Sequence, residues 1–139
     1  TEYAARLNPA LLRKFKDLLG NIESNAELVL DARTPGRYAG TEPEPRPGLR
    51  SGHIPKSFNL PFLDLYDLDT HLMKSGKQLG KVFAAAGVED GKNVITSCGS
   101  GITACNLALA LHTIGRTDVA VYDGSWSEWG ARKGLPVAR

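Results

Sequence analysis

Cysteine, methionine and tryptophan are scarce in this chain of 139 residues, which holds two, one and two of them. Two cysteines build no disulfide framework, which excludes the stapled secreted scaffolds and points to a reducing compartment. Cys98 and Cys105 stand seven positions apart across what reads as a tight loop and a helix. A mutual disulfide is geometrically poor there, and the spacing matches no zinc pattern. Neither a metal nor a cofactor is expected. No apolar run approaches the length of a membrane span. The net charge is +2, and the basic residues are scattered without an aromatic-interleaved stripe, so no nucleic-acid or membrane partner is indicated. Repeats and low-complexity tracts are absent. The opening Thr1-Glu-Tyr-Ala-Ala-Arg6 is polar, without signal-peptide character and without an initiating Met, and reads as the start of a mature form or of a piece of something longer. What remains is an ordinary composition, 42% hydrophobic and 23% charged. That suits one domain over residues 1–139 with a proper core.

The chain alternates helical and strand-like segments. Asn8-Pro9 reads as an N-cap and first helical position, with Leu11, Leu12, Phe15, Leu18 and Leu19 on one apolar face and Gly20 as the stop. Short apolar strands are predicted at Leu28–Leu30, closing on Asp31, at Ser57–Leu60, around Asn93–Ser97 and at Val119–Tyr122. A long proline-rich loop runs from Arg33 to Gly52, and Phe62–Tyr66 reads as a helical turn. Ser75–Ala86 is helical, with Leu79, Val82, Phe83 and Ala86 inward and Gly87 at its end. Strands apolar on both faces imply a mostly parallel sheet covered by helices on both sides, an α/β fold. Ligands of such sheets sit at the carboxyl ends of the strands, where Asp31, Cys98 and Asp123 are expected to share a rim.

The chemistry concentrates in Cys98-Gly-Ser-Gly-Ile-Thr-Ala-Cys105. A thiol ends a β-branched strand, a glycine-rich turn follows, and a helix begins near Ile102 with Ala104, Leu107, Ala108 and Leu111 at helical spacing. Gly99 and Gly101 let the turn aim several amide N–H groups at one point, beside the positive end of the helix dipole. A thiolate is the charge this geometry favours, and the thiolate is the reactive form of cysteine. An isolated free cysteine is usually a packing residue. The two glycines, Ser100 and the strand-to-helix position favour a nucleophile instead. Cys105 lies inside the helix with no such cradle and is expected to pack against the sheet.

These residues, with three further segments, resemble a known family. Cys98–Thr103 resembles the active loop of rhodanese-type sulfurtransferases. Ser51-Gly-His-Ile-Pro55 and Tyr122-Asp-Gly-Ser-Trp-Ser-Glu-Trp129 resemble its two other signatures. Asp31–Arg37, running into Gly40–Arg46, resembles the long substrate loop of its two-domain members, and Leu7-Asn-Pro9 the segment joining their domains. The likeness covers nearly the whole chain in order. It implies the rhodanese fold and the C-terminal, catalytic half of a tandem enzyme, with residues 1–8 as interdomain linker. Lys56 stands where the family usually has glycine, a departure expected to affect a turn and not the chemistry.

The resemblance also implies a reaction. Thiosulfate-type members usually carry basic residues at the two positions after the cysteine. Gly99 and Ser100 here are uncharged, as in the 3-mercaptopyruvate-using branch. A related phosphatase family needs arginine six residues after its cysteine, where this chain has Ala104. The implied activity takes sulfur from 3-mercaptopyruvate as a persulfide on Cys98, releases pyruvate, and passes the sulfur to cyanide or a thiol acceptor such as thioredoxin. The amides from Gly99 to Ala104, those of Gly101, Ile102 and Thr103 included, would stabilise the anion, with Thr103 also capping the helix and holding the loop. Ser100 would donate to the donor's sulfur or enolate, and Arg37 and Arg46 would bind its carboxylate. Glu44 is placed to steady one of those arginines, and Arg33 reads as structural, in an ion pair beneath the sheet rim. His53 belongs to a structural motif, and His71 and His112 have no chemical neighbours in the sequence. Trp126 and Trp129 read as packing residues, Asp123 and Ser125 as turn and cap. The implied partners are a small-molecule sulfur donor, the acceptor and an N-terminal rhodanese domain, in cytoplasm or mitochondrion. Two other readings stay open: a thiosulfate sulfurtransferase, and a sulfur-carrier domain in a tRNA-thiolation relay.

Overall fold

The structure, a computed structural model, describes residue 2 and residues 4–139. The segment read as an interdomain linker, 1–8, includes Thr1 and Tyr3, which lie outside the described residues. In chain order the elements are β1 (Leu12–Arg13), α1 (Phe15–Ser24), β2 (Leu28–Asp31), α2 (Pro35–Ala39), β3 (Ser57–Asn59), α3 (Gly76–Ala85), β4 (Val94–Ser97), α4 (Ile102–Thr113), β5 (Val119–Tyr122) and α5 (Ser125–Trp129). Short 3-10 turns at Pro9–Leu11 and Phe62–Leu65 complete the path.

The five strands form one parallel sheet in the order β1-β5-β4-β2-β3. Alternation along the strands sends side chains to two separate cores, as a doubly covered sheet requires. Leu28 and Leu30 of β2 and Val94 of β4 join Leu79 and Phe83 of α3 and Leu107 and Leu111 of α4 on one face. Val29 and Ile95 join Leu18 of α1, Tyr122, Trp126 and Trp129 on the other. The two tryptophans are almost completely buried, as packing residues. Each indole N–H donates to a carbonyl, Trp126 to Arg50 and Trp129 to Pro136.

Two segments differ from the sequence reading. The helix expected from Asn8 to Gly20 is three elements. Asn8 does accept from the Ala10 amide, but the helical turn stops at Leu11. Leu12 and Arg13 then pair with Val121 and Tyr122 as an edge strand, held by an Arg13–Glu27 ion pair at 2.7 Å. The α-helix begins only at Phe15, and Gly20 sits within it. The second difference is α2, inside the segment read as loop. Thr34 caps it, Pro35 opens it, and Gly40 ends it in the left-handed region at φ 75°. This small helix carries Arg37. Lys56, the departure from the family's glycine, also adopts a left-handed backbone, φ 63°. The turn is therefore kept, with the strain a side chain brings there.

Candidate active site

β4 delivers Cys98 to the carboxyl edge of the sheet, and the chain turns through Gly99, Ser100 and Gly101 into α4. Gly101 has φ 92°, and a Cβ on it would lie 2.8 Å from the Asp123 carbonyl oxygen. Only glycine lets the loop pass that close to the β5 turn. Its N–H donates to the Cys98 sulfur at 3.0 Å. From the other side, α5 holds the loop. The Trp126 and Ser127 amides donate to the carbonyls of Cys98 and Gly99, both at 2.9 Å. Ser125 is fully buried at φ 48°, and its Oγ accepts from the Cys98 amide at 3.0 Å, donates to the Tyr122 carbonyl and lies 3.9 Å from the sulfur. Ser125 is thus no cap of α5, which has no side-chain cap. It fastens the Cys98 end of the loop instead.

Cys98 is 1% exposed. Burial pushes its thiol up, but the Thr103 hydroxyl and the amides of Ser100, Ala104 and Gly101 favour the thiolate more strongly, so the net shift is downward. Thr103 is not the expected cap, since α4 has no side-chain cap; its hydroxyl instead contributes to the downward shift at Cys98. A lowered folded-state value means that the unfolded chain holds this proton more tightly. The associated stability is present above the ordinary cysteine range and is lost as pH falls through the folded-state value. Alkylation of Cys98 by iodoacetamide, followed by peptide mass mapping, is expected to show a midpoint below that of an ordinary thiol. Thr103→Val should move that midpoint upward, and an unchanged midpoint would remove Thr103 from the site.

Beside the loop lies a cavity of about 150 Å³ lined by Arg37, Glu44, Arg46, Gly99, Ser100 and Ser127, together with two apolar residues. Four of the residues expected to bind substrate or act on it, Arg37, Arg46, Gly99 and Ser100, meet there. Ile102 does not: it is 75% exposed outside the cavity. Glu44 joins the rim to the interior. It accepts from Arg33 at 2.8 Å and from Arg37 at 2.6 Å, while Arg33 also binds Asp31 at 2.6 Å and lies over the Trp126 ring. Arg46 donates to Ser127 Oγ at 2.8 Å. Neither Ser125 nor Ser127 was singled out in the sequence as a site residue. Their signals there are the rim position after β5 and their place in the Tyr122–Trp129 segment that resembles a family signature.

Cys105 corrects the other cysteine expectation. It is exposed, on the outer side of α4, and its thiol donates to the Gly101 carbonyl. Ala104, Leu107, Ala110 and Leu111 take the inner positions, which leaves residue 105 facing away from the sheet. Both cysteines are free. His53 stacks on Tyr38, with Nδ1 2.8 Å from the Tyr38 carbonyl. It borders a larger hollow of about 520 Å³ with Asn25, Leu28 and Lys92, at the amino ends of the strands and away from Cys98. His71 and His112 are exposed. Among the described residues no His, Cys, Asp and Glu group could hold a metal ion, and no helix is long and apolar enough to cross a membrane.

Human 3-mercaptopyruvate sulfurtransferase is 43% identical over 128 residues, 92% of this chain and 43% of the relative. A mouse thiosulfate sulfurtransferase is 44% identical over 138 residues, 99% and 46% of the two chains. A crystal structure of a 3-mercaptopyruvate sulfotransferase from Escherichia coli superimposes with a TM-score of 0.75 at 37% identity, covering 91% of this chain and 46% of that one. The chain thus spans about half the length of the relatives it matches. Residues 14–132 match the rhodanese-like domain, and the chain belongs to that family.

Proposed function

We propose that this domain is the sulfur-transferring half of a 3-mercaptopyruvate sulfurtransferase. The Cys98 thiolate attacks the donor's sulfur. The carbon–sulfur bond breaks, the pair of electrons leaves on carbon as the enolate of pyruvate, and that enolate takes up a proton. Cys98 keeps the sulfur as a persulfide. A thiolate acceptor then attacks the outer sulfur and departs as a persulfide itself, which returns Cys98 as thiolate. Amides converging on the sulfur stabilise the anion at both stages. Arg37 and Arg46 suit the donor's carboxylate, and Ser100 is the loop residue that brings a hydroxyl to the cavity.

The observation that carries the choice of donor is the loop itself. Gly99 and Ser100 bring no charge, so the two arginines supply the cationic side chains of the cavity. That suits a carboxylate at the cavity and a bare thiol at Cys98. The identities of 43% and 44% to relatives named for different donors do not separate them. The free thiols suit a reducing compartment, cytoplasm or mitochondrion. The length of the relatives suits a second rhodanese domain as neighbour.

Intact-mass analysis after each donor, with steady-state rates beside it, tests the proposal. Treatment with 3-mercaptopyruvate should add one sulfur atom, and its kcat/KM should exceed that for thiosulfate. The reverse order would make the protein a thiosulfate sulfurtransferase. Persulfide formation with turnover only in the presence of a protein acceptor would make it a sulfur carrier.

A further inference from the structure

The two cavity arginines are not equivalent. Arg37 shares Glu44 with Arg33, so part of its charge is already spent. Arg46 joins no ion pair among the described residues; its side-chain partner is the neutral Ser127 hydroxyl, at 2.8 Å. Arg46 therefore offers the cavity its less compensated positive charge. It does so from an exposed loop, on a long side chain whose rotamer freedom a ligand would have to freeze.

Ser127 is built to do that freezing beforehand. Its amide and its hydroxyl both donate to the Gly99 carbonyl, at 2.9 Å and 2.6 Å. Its single hydroxyl proton is thus committed, and the oxygen lone pairs are left to accept from Arg46. A neutral acceptor orients the guanidinium without neutralising it, which a carboxylate at the same place would do. The tether is also short: Arg46 is fixed through one side chain to the residue that follows Cys98.

We propose that Ser127 is a positioning residue that pre-orients Arg46 for the negatively charged group of the donor. This rests on the anionic-donor reading above, but its test does not require sulfur transfer. Iodoacetate and iodoacetamide alkylate a thiolate by the same displacement and differ in one carboxylate. Their rates at Cys98, read by peptide mass mapping on the folded chain, give a ratio that reports anion attraction alone.

Ser127→Ala is expected to lower the iodoacetate-to-iodoacetamide ratio about threefold to tenfold, the net worth of one solvent-exposed hydrogen bond. Arg46→Gln should lower it at least as far, and adding Ser127→Ala to Arg46→Gln should lower it no further. Ser127→Thr, which keeps the hydroxyl, should restore the ratio. With 3-mercaptopyruvate, Ser127→Ala should raise KM and leave kcat nearly unchanged. Equal slowing with both reagents would make Ser127 a support of the Gly99 loop only and overturn the proposal. An unchanged ratio in Ser127→Ala, or independent effects of the two substitutions, would overturn it too. A ratio that responds as expected in a chain that forms no persulfide supports the positioning role and overturns the sulfurtransferase reading alone.

Discussion

Cys98→Ser is expected to abolish sulfur transfer while leaving the fold in place. The oxygen would sit where the sulfur accepts from the Gly101 amide, in a site that is 1% exposed. The change removes little volume and keeps the Gly101 amide paired, so its cost should stay within about 1 kcal/mol, and unfolding midpoints should hardly move. The chemistry is another matter. A hydroxyl is not ionised by the hydrogen bonds that lower the thiol, and an oxygen cannot store sulfane sulfur as a persulfide. Loss of a nucleophile should cut turnover on the order of 10⁴-fold or more. Pyruvate release and intact mass after 3-mercaptopyruvate measure it. Cys105→Ser, by contrast, should transfer sulfur normally, because that thiol is exposed on the far side of the Gly101 peptide. Sulfur gained by Cys98→Ser and lost by Cys105→Ser would make Cys105 the nucleophile and overturn the assignment.

That assignment was legible in the sequence because it rests on neighbours in the chain. A β-branched strand, a Gly-Ser-Gly turn and an apolar helix specify each other locally, and Val94–Ser97 and Ile102–Thr113 form within a residue or two of the expected limits. The parallel sheet was legible for the same reason, its strands being apolar on both faces. Leu12 and Arg13 were not. Their spacing from Phe15 fits a helix, and only pairing with β5, more than a hundred residues later, makes them a strand. The serines of α5 hold the cysteine loop across 27 and 28 positions, and such bonds leave no periodicity to read. Ser125 has the residue type and place of a cap, and what decides otherwise is the buried Cys98 amide in front of it. Arg33 and Glu44 show the intermediate case. Opposite charges near each other suggest pairing, but nothing in their order says that one carboxylate serves both a buried and a cavity-lining arginine.

Arg33→Met is the substitution expected to cost most in stability, and the reason lies in that shared carboxylate. The Arg33 side chain has no exposed area, and its partners Asp31 and Glu44 are 4% and 3% exposed. It also donates to the Gly52 carbonyl at 2.8 Å. Methionine would fill much of the space over Trp126 but leave two buried carboxylates facing a gap. Breaking a buried pair by removing one partner costs about 3–5 kcal/mol, mostly from the charge left behind. In a domain of this size the fall in Tm should be roughly 10 °C or more. Arg33→Lys should lie between, because one ammonium cannot serve the fork that reaches Asp31, Glu44 and Gly52 together. Thermal unfolding of both variants measures this, and a change of only a degree or two would mean that water reaches the carboxylates. The effect should extend to the cavity. With Arg33 gone, Glu44 has Arg37 as its remaining cation, draws that guanidinium closer and withholds its charge from the donor. KM for an anionic donor should therefore rise in Arg33→Lys even where the protein is folded. The same carboxylate that lets a charged residue be buried beneath the rim also limits how much of Arg37 is available above it, which on the proposed reading leaves the burden of anion binding to Arg46.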